Sequence, residues 1–337
     1  MKRKLFLAFA AIITLISAFS YLFMNPILVE AQMITSAECV MEANSRRILY
    51  QSYGDTRLPM ASTTKIATAI AVLESGENIE EVYSIPKCAV GVEGSSVYLQ
   101  EGDEYSIKDL LYGLMLRSGN DCAVALATIV DSSIGAFTSR MNRIAQRAGA
   151  LQTVFQNPHG LPHKNHYTTA VDLALIAAYA MQNSTFCEIV ATKYYAPRNW
   201  TNKNKMLTVC DGAIGVKTGY TKQAGRCLVS AAERNGMRLI CSVLNCSDMY
   251  ERSKQLLDDG FSKYHNREIL RSGTTLAFDG GEGIVQETYA YPMMEGEEAQ
   301  VEIVAKAHSS AKNKKIVGQF QIYLAKRLLF SGNLYKL

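Results

Sequence analysis

Ser62 and Lys65 stand three apart in the stretch LPMASTTKIATAI (58–70). On a helix that spacing puts both side chains on one face. A serine hydroxyl needs a base to become a good nucleophile, and a lysine desolvated beside another cation can be neutral enough to serve. The pair is weak by itself, because Ser-x-x-Lys occurs three times: STTK at 62–65, SIPK at 84–87 and SSAK at 309–312. Pro86 directly precedes the lysine of the second match, which a helix interior resists. The third runs into further lysines with no apolar period behind it. Only STTK opens a helical pattern, with Ile66, Ala69, Ile70 and Leu73 at helical spacing.

Two more short motifs complete a set. Ser-Gly-Asn occurs at 118–120 and again at 331–333, while Lys-Thr-Gly occurs once, at 217–219. Any one of these is a chance match as readily as a site. The order is informative: STTK starts a helix, the first SGN follows a helix, and KTG lies in a strand. Chemically the parts fit one acyl-transfer centre. Ser62 is the expected nucleophile and Lys65 its base. Ser118 can relay protons to a leaving amine, and Asn120 can hold Lys65 and a substrate amide. Lys217 supplies a second positive charge and, with Thr218, suits a substrate carboxylate. Gly219 lets a ligand lie close to the strand. The N–H groups of Ser62 and Tyr220 are the expected oxyanion hole, aided by the positive end of the helix.

The elements that must carry these residues can be read from periodicity. Residues 38–51 read as two short strands around an Asn-Ser turn. Helices are expected at 61–75, 106–118, 121–131, 137–149 and 170–181, with Ser106 as an N-cap and Gly149 as a stop. After about 205 the period changes: AIGVKTGYT, GRCLVSAAE and MRLICSVLN read as strands, the last two joined by an Asn235-Gly236 turn. A helix returns at 249–264. The strands at both ends of 38–265 can share one sheet, with the helices inserted as a second lobe. From 266 onward, alternating segments between Gly, Pro and Asn suggest a small all-β domain, and 306–316 reads as a solvated hairpin loop. The expected organisation is an α+β catalytic domain over 32–265 followed by a β domain over 266–337.

The chain has 337 residues, 48% of them hydrophobic, with a net charge of +4. Lys2, Arg3 and Lys4, set against Glu30, supply half of that charge. The nearly neutral body therefore gives no reason to expect nucleic acid. A basic start and 20 uncharged residues precede Val29-Glu30-Ala31, so 1–31 is expected to be a signal peptide cleaved after Ala31. A retained N-terminal membrane anchor is the alternative. Either places the body outside the cytoplasm, at the outer face of the membrane or secreted. The eight irregularly spaced cysteines are expected to be mostly free thiols, with one pair at most. His159, His163 and His166 cluster, but without the HExxH spacing or a carboxylate, so no metal and no cofactor are expected.

The ordered trio is the signature of penicillin-binding proteins and class A β-lactamases. The wider stretches RLPMASTTKIATA, DLLYGLMLRSGNDCAVALA, NPHGLPHKNHYTTAVDLALIA and VKTGYTKQAGRCLVSAAERNGMRLI resemble the serine D-alanyl-D-alanine carboxypeptidases, the low-molecular-weight penicillin-binding proteins. The resemblance covers roughly 38–265, more loosely the tail. It implies the penicillin-binding-protein fold, an antiparallel sheet flanked by helices with a helical lobe, followed by the β domain. It also implies removal of the terminal D-alanine from peptidoglycan stem pentapeptides through an acyl-enzyme on Ser62, with β-lactams as covalent inhibitors. Many members end in an amphipathic membrane helix; none is legible in AKRLLFSGNLYKL. A class A-like β-lactamase is the nearest rival, but no glutamate occurs between Glu104 and Glu188, and SGN stands where SDN is usual. A DD-endopeptidase cutting cross-links, and a wall-binding protein with a dead site, are the other readings.

Overall fold

Met237–Leu244 is apolar at almost every position, and a strand of that kind needs cover on both faces. The structure, a computed structural model, describes residues 36–307 and 315–337. The expected signal segment 1–31 and most of the lysine-rich loop expected at 306–316 lie outside the described residues.

Five strands form an antiparallel sheet: β1 (Ala37–Glu42), β2 (Ile48–Ser52), β3 (Ala213–Thr221), β4 (Gly225–Arg234) and β5 (Met237–Leu244), in the order β2-β1-β5-β4-β3. Chain-distant strands thus meet in the middle, where β1 pairs with β5. Asn235 and Gly236, both with positive φ (50° and 73°), make the two-residue turn between β4 and β5. Ile240 and Leu244 face one core, while Leu239, Cys241 and Val243 face another. The first core is the helical lobe. At its centre lies α1 (Lys65–Leu73), buried from Lys65 to Val72. Around it stand α2 (Ile107–Tyr112), α3 (Asn120–Asp131), α4 (Ile134–Ala148), α5 (Ala170–Ala180) and α6 (Ser184–Ala191). The second core is covered by α7 (Met249–Lys263).

Two expected helices differ at the ends that matter. The helix expected over 61–75 begins as a 3-10 turn, Ala61–Thr64, before turning α-helical at Lys65. Ala61 is left-handed (φ 48°), and the Thr63 and Thr64 hydroxyls donate back to the carbonyls of Met60 and Ala61. The helix expected over 106–118 stops being α at Tyr112 and widens into a π-turn, Gly113–Arg117. Gly113 is hemmed in there: a Cβ on it would lie 2.7 Å from Cys122 Sγ and 3.2 Å from the Trp200 ring. All eight cysteines are free thiols.

The remainder is all β. β6 (His265–Leu270) pairs with β9 (Tyr289–Met293). β7 (Thr275–Phe278), β8 (Gly281–Ile284), β10 (Val301–Ala307), β11 (Ile316–Leu324) and β12 (Arg327–Tyr335) form a sheet in the order β7-β8-β12-β11-β10. The strands β6, β8 and β12 had no counterpart in the sequence reading, since Leu328, Leu329 and Phe330 break the alternation of the last. Among the described residues no single helix is long and apolar enough to cross a membrane.

Arg47 ties the β1–β2 hairpin to this C-terminal part. Its guanidinium donates twice to the Glu297 carboxylate (2.6 and 2.9 Å) and once to the Pro292 carbonyl (2.7 Å). It also lies 5.1 Å from the Tyr264 ring centre and 5.3 Å from that of Tyr291. Both partners are mostly buried, and Arg47 holds the Glu297 carboxyl below its usual range. Removing one member of such a pair strands the other charge. Arg47→Ala should therefore lower unfolding free energy by about 2–4 kcal/mol in urea titrations, with Arg47→Lys recovering only part because the fork is lost.

Candidate active site

The turn that presents Ser62 is pressed from two sides by glycines. Gly160 (φ 91°) lies so close that a Cβ on it would fall 1.9 Å from the Ala61 carbonyl oxygen. Gly219 of β3 lies opposite, where a Cβ would be 3.0 Å from the Ser62 nitrogen and 3.1 Å from that of Thr63. The KTG strand and the Ser62 turn are thus in backbone-to-backbone contact, which a side chain would prevent. From behind, His166 fixes the turn. Its Nδ1 accepts the Gln156 N–H (3.0 Å), which leaves the proton on Nε2 to donate to Thr64 Oγ1 (2.8 Å). Thr64 in turn donates to the Ala61 carbonyl (2.8 Å).

Lys65 is completely buried. Its amine contacts Ser62 Oγ at 3.0 Å, Asn120 Oδ1 at 2.6 Å and the His159 carbonyl at 2.7 Å. Burial, followed by the charge of Lys217, holds its pKa well below the ordinary lysine range. Lys217 is buried as well (2% exposed), and burial brings it down to about 7. Its amine donates to the Thr218 carbonyl (2.9 Å). A neutral Lys65 can donate two N–H bonds, to Asn120 and His159, and has one lone pair left, directed at the Ser62 hydroxyl.

Asn120 opens α3 with its amide nitrogen on the Glu93 carbonyl (2.5 Å), so its oxygen is the atom turned to Lys65. Its own backbone N–H donates to the Ser95 carbonyl (2.7 Å). The loop that supplies these carbonyls is held by Asp121. That carboxylate, 1% exposed, accepts from the Ser96 hydroxyl and from the backbone N–H groups of Val97 and Leu99. Ser118 is buried, in the left-handed conformation (φ 65°) where the π-turn hands over to α3. No hydrogen bond joins its hydroxyl to Lys65 among the described residues.

Of the sequence-derived residues, Ser62, Lys65 and Asn120 are therefore directly linked. Lys217, Thr218 and Gly219 are brought alongside on β3. Ser118 is placed by its backbone, and Tyr220 stands exposed at the strand's end. The His159 and Glu93 carbonyls, Gly160 and Asp121 act here without having been singled out, and His166, noticed only as one of a histidine cluster, acts as a support. Backbone acceptors leave no mark on residue type, and NPHG was read only as part of the family resemblance. The three clustered histidines each accept a backbone N–H at Nδ1, from Leu161, Asn165 and Gln156 respectively.

A profile of the D-alanyl-D-alanine carboxypeptidase family matches residues 26–248. The chain belongs to this family. D-alanyl-D-alanine carboxypeptidase DacF of Bacillus subtilis is 31% identical over 252 residues, 71% of this chain and 65% of that protein. The D-alanyl-D-alanine carboxypeptidase of Streptomyces sp. K15 is 36% identical over 240 residues, 64% of this chain and 82% of that one. Among solved structures, penicillin binding protein 5 from Haemophilus influenzae superposes with a TM-score of 0.75 at 26% identity, covering 90% of this chain and 96% of that one. The Streptomyces K15 DD-transpeptidase gives 0.63 at 35% identity over 67% of this chain and 96% of that one. The antiparallel sheet with its helical lobe and the C-terminal all-β part together superpose on the Haemophilus influenzae structure, which covers 90% of this chain.

Burial also brings His166 down to about 4, so this carboxypeptidase-family site has an acid limit of its own. A histidine whose folded pKa lies below its unfolded value near 6.5 contributes stability that is complete above about 6.5. That contribution shrinks as pH falls and is gone once the folded pKa is passed. Melting temperature should drop from pH 6.5 to 4, with about 3 kcal/mol at stake for this residue. His166→Gln, neutral throughout, should flatten the profile in scanning calorimetry; an unchanged slope would exclude His166 as its source.

Proposed function

We propose that this chain is a serine D-Ala-D-Ala carboxypeptidase that removes the terminal D-alanine from peptidoglycan stem pentapeptides. The single observation that carries the reading is the buried Lys65 amine, within hydrogen-bond reach of Ser62 Oγ while Asn120 and His159 take its other bonds. Ser62 gives its proton to neutral Lys65 and attacks the carbonyl of the penultimate D-alanine. The N–H groups of Ser62 and Tyr220 receive the oxyanion. Supporting this, the close approach at Gly219 sets the two backbones beside each other. The proton passes through Ser118 to the departing D-alanine amine, and Lys217 with Thr218 holds the substrate's terminal carboxylate. An incoming carboxylate favours the charged form of Lys217, whose pKa of about 7 lets it respond. Water then releases the shortened peptide by the reverse path. A β-lactam acylates the same serine, but its leaving amine remains tethered and deacylation is slow.

The body, 32–265 with 266–337 as its β domain, acts in the bacterial cell envelope, exported by 1–31. No glutamate lies in the segment of the sequence where a β-lactamase would carry its deacylating base.

Ser62→Ala should abolish both labelling by fluorescent penicillin and D-alanine release from a diacetyl-Lys-D-Ala-D-Ala peptide. Either activity surviving would remove Ser62 as the nucleophile. Rapid repeated penicillin turnover by the unaltered enzyme would favour the β-lactamase reading, and preferential cleavage of cross-linked muropeptides the endopeptidase one. Because the Lys217 charge lowers the Lys65 pKa, Lys217→Gln should move the acid limb of the acylation rate to higher pH. A limb that stays in place would mean that Lys65 is not the group titrating there.

A further inference from the structure

The second Ser-Gly-Asn match, 331–333, plays no part in the site above, yet it lines a groove of its own. The groove, about 450 Å³, lies on the C-terminal sheet among Val304, Lys306, Gln319, Gln321, Ser331 and Asn333. Strand register puts these side chains on one face. Lys306 stands across from Gln319 and Gln319 across from Asn333, while Gln321 stands across from Ser331. The opposite face carries the buried Phe320 and Ile322. Gly332 permits this, because a Cβ on it would lie 2.6 Å from the Phe320 ring. The β11–β12 register shifts at both ends of the stretch, at Ile316/Gly318 and at Ile322/Tyr323. Bulges bend a strand and increase its twist, so the face between them is shaped as well as polar.

The chemistry of the groove is selective. No carboxylate lines it, and Lys306 is its single charge. The Tyr323 hydroxyl donates to Gln321 Oε1 (2.9 Å), which leaves the Gln321 amide nitrogen for a ligand. The Gln319 nitrogen reaches Asn333 Oδ1 only at 3.5 Å, which leaves the Asn333 nitrogen and the Gln319 oxygen. Among the described residues neither the Ser331 hydroxyl nor the Lys306 amine has a protein partner. Neutral donors and acceptors in this array match a ligand that offers hydroxyls and amides without charge. An apolar partner would leave the amides unpaired, and a strongly anionic one would find a single cation. The half-buried Tyr323, beyond the groove on the same face and across from the exposed Glu302, adds an aromatic surface for the apolar side of such a ligand.

We infer that this groove binds the uncharged, N-acetylated glycan strand of the cell-wall polymer. The choice of glycan rests on the proposed activity, since that strand carries the stem peptides on which Ser62 would act. The groove would hold the enzyme on the polymer while the active site works along it.

The test uses the full chain and insoluble poly-N-acetylglucosamine strands, which are uncharged, whereas wall strands stripped by an amidase would expose a lactyl carboxylate on every second sugar. Wild type and Ser62→Ala should sediment with these strands equally, and still do so in high salt, because neutral recognition is little screened. Gln321→Glu combined with Asn333→Ala should lower the bound fraction about five-fold or more, the worth of a lost hydrogen bond or two. It should slow D-alanine release from intact polymer and leave release from the soluble diacetyl-Lys-D-Ala-D-Ala peptide unchanged. Ser331→Arg on the same face repeats the test if the double variant melts early. No sedimentation of wild type, equal sedimentation of both variants, or loss of binding in salt would each overturn the inference. A wild type that binds glycan but releases no D-alanine from the soluble peptide would instead overturn the catalytic reading.

Discussion

A lysine with no solvent contact cannot easily keep its charge, and the candidate site of this molecule is arranged around that fact. Lys65 is wholly buried, and its surroundings supply two oxygen acceptors and one hydroxyl but no carboxylate in direct contact. Water is excluded, a second lysine stands on the facing strand, and both effects drive the amine towards its neutral form. The cost of burying this group is met by the fixed carbonyl of His159 and the amide oxygen of Asn120. Those two acceptors also determine where the remaining lone pair points.

Everything nearby keeps those acceptors in place. Asn120 could present either end of its amide; the Glu93 carbonyl decides which. Glu93 belongs to a loop that Asp121 grips through one hydroxyl and two backbone N–H groups. The His159 carbonyl is carried by a tight turn whose Gly160 is packed against the Ser62 turn itself. Such a site is rigid because its parts share backbone contacts, which is what a reaction needing alignment at hydrogen-bond distances requires.

The C-terminal part follows a different rule. Its apolar residues are few and concentrated on the inner face, with Phe320, Ile322 and Leu334 at the centre. Its outer face carries amides and hydroxyls in register on β11 and β12, beside Glu302, Val304 and Lys306 of β10. Arg47 and Glu297 anchor it to the β1–β2 hairpin through a bidentate pair set between two tyrosines.

Much of the site was legible before folding was considered. Ser62, Lys65, Asn120, Lys217 and Gly219 were marked by side-chain type and by the order of three motifs along the chain. Six helices and the five strands of the main sheet were legible as well, because period 3.6 and period 2 are local properties, whereas the short α6 had no counterpart in the sequence reading. Other features depend on partners that are remote in the chain. In the π-turn before Ser118, Gly113 packs against Cys122 and Trp200, and no local period encodes that meeting. The strand β12 was hidden because its alternation is broken and its partner β11 supplies the pairing. Sequence alone determined which groups are candidates for the chemistry. Tertiary structure decided that Lys65 is dry, which carbonyls hold it, and that the second Ser-Gly-Asn lies on a sheet face instead of at a helix start, because burial and backbone acceptors arise only when distant segments meet.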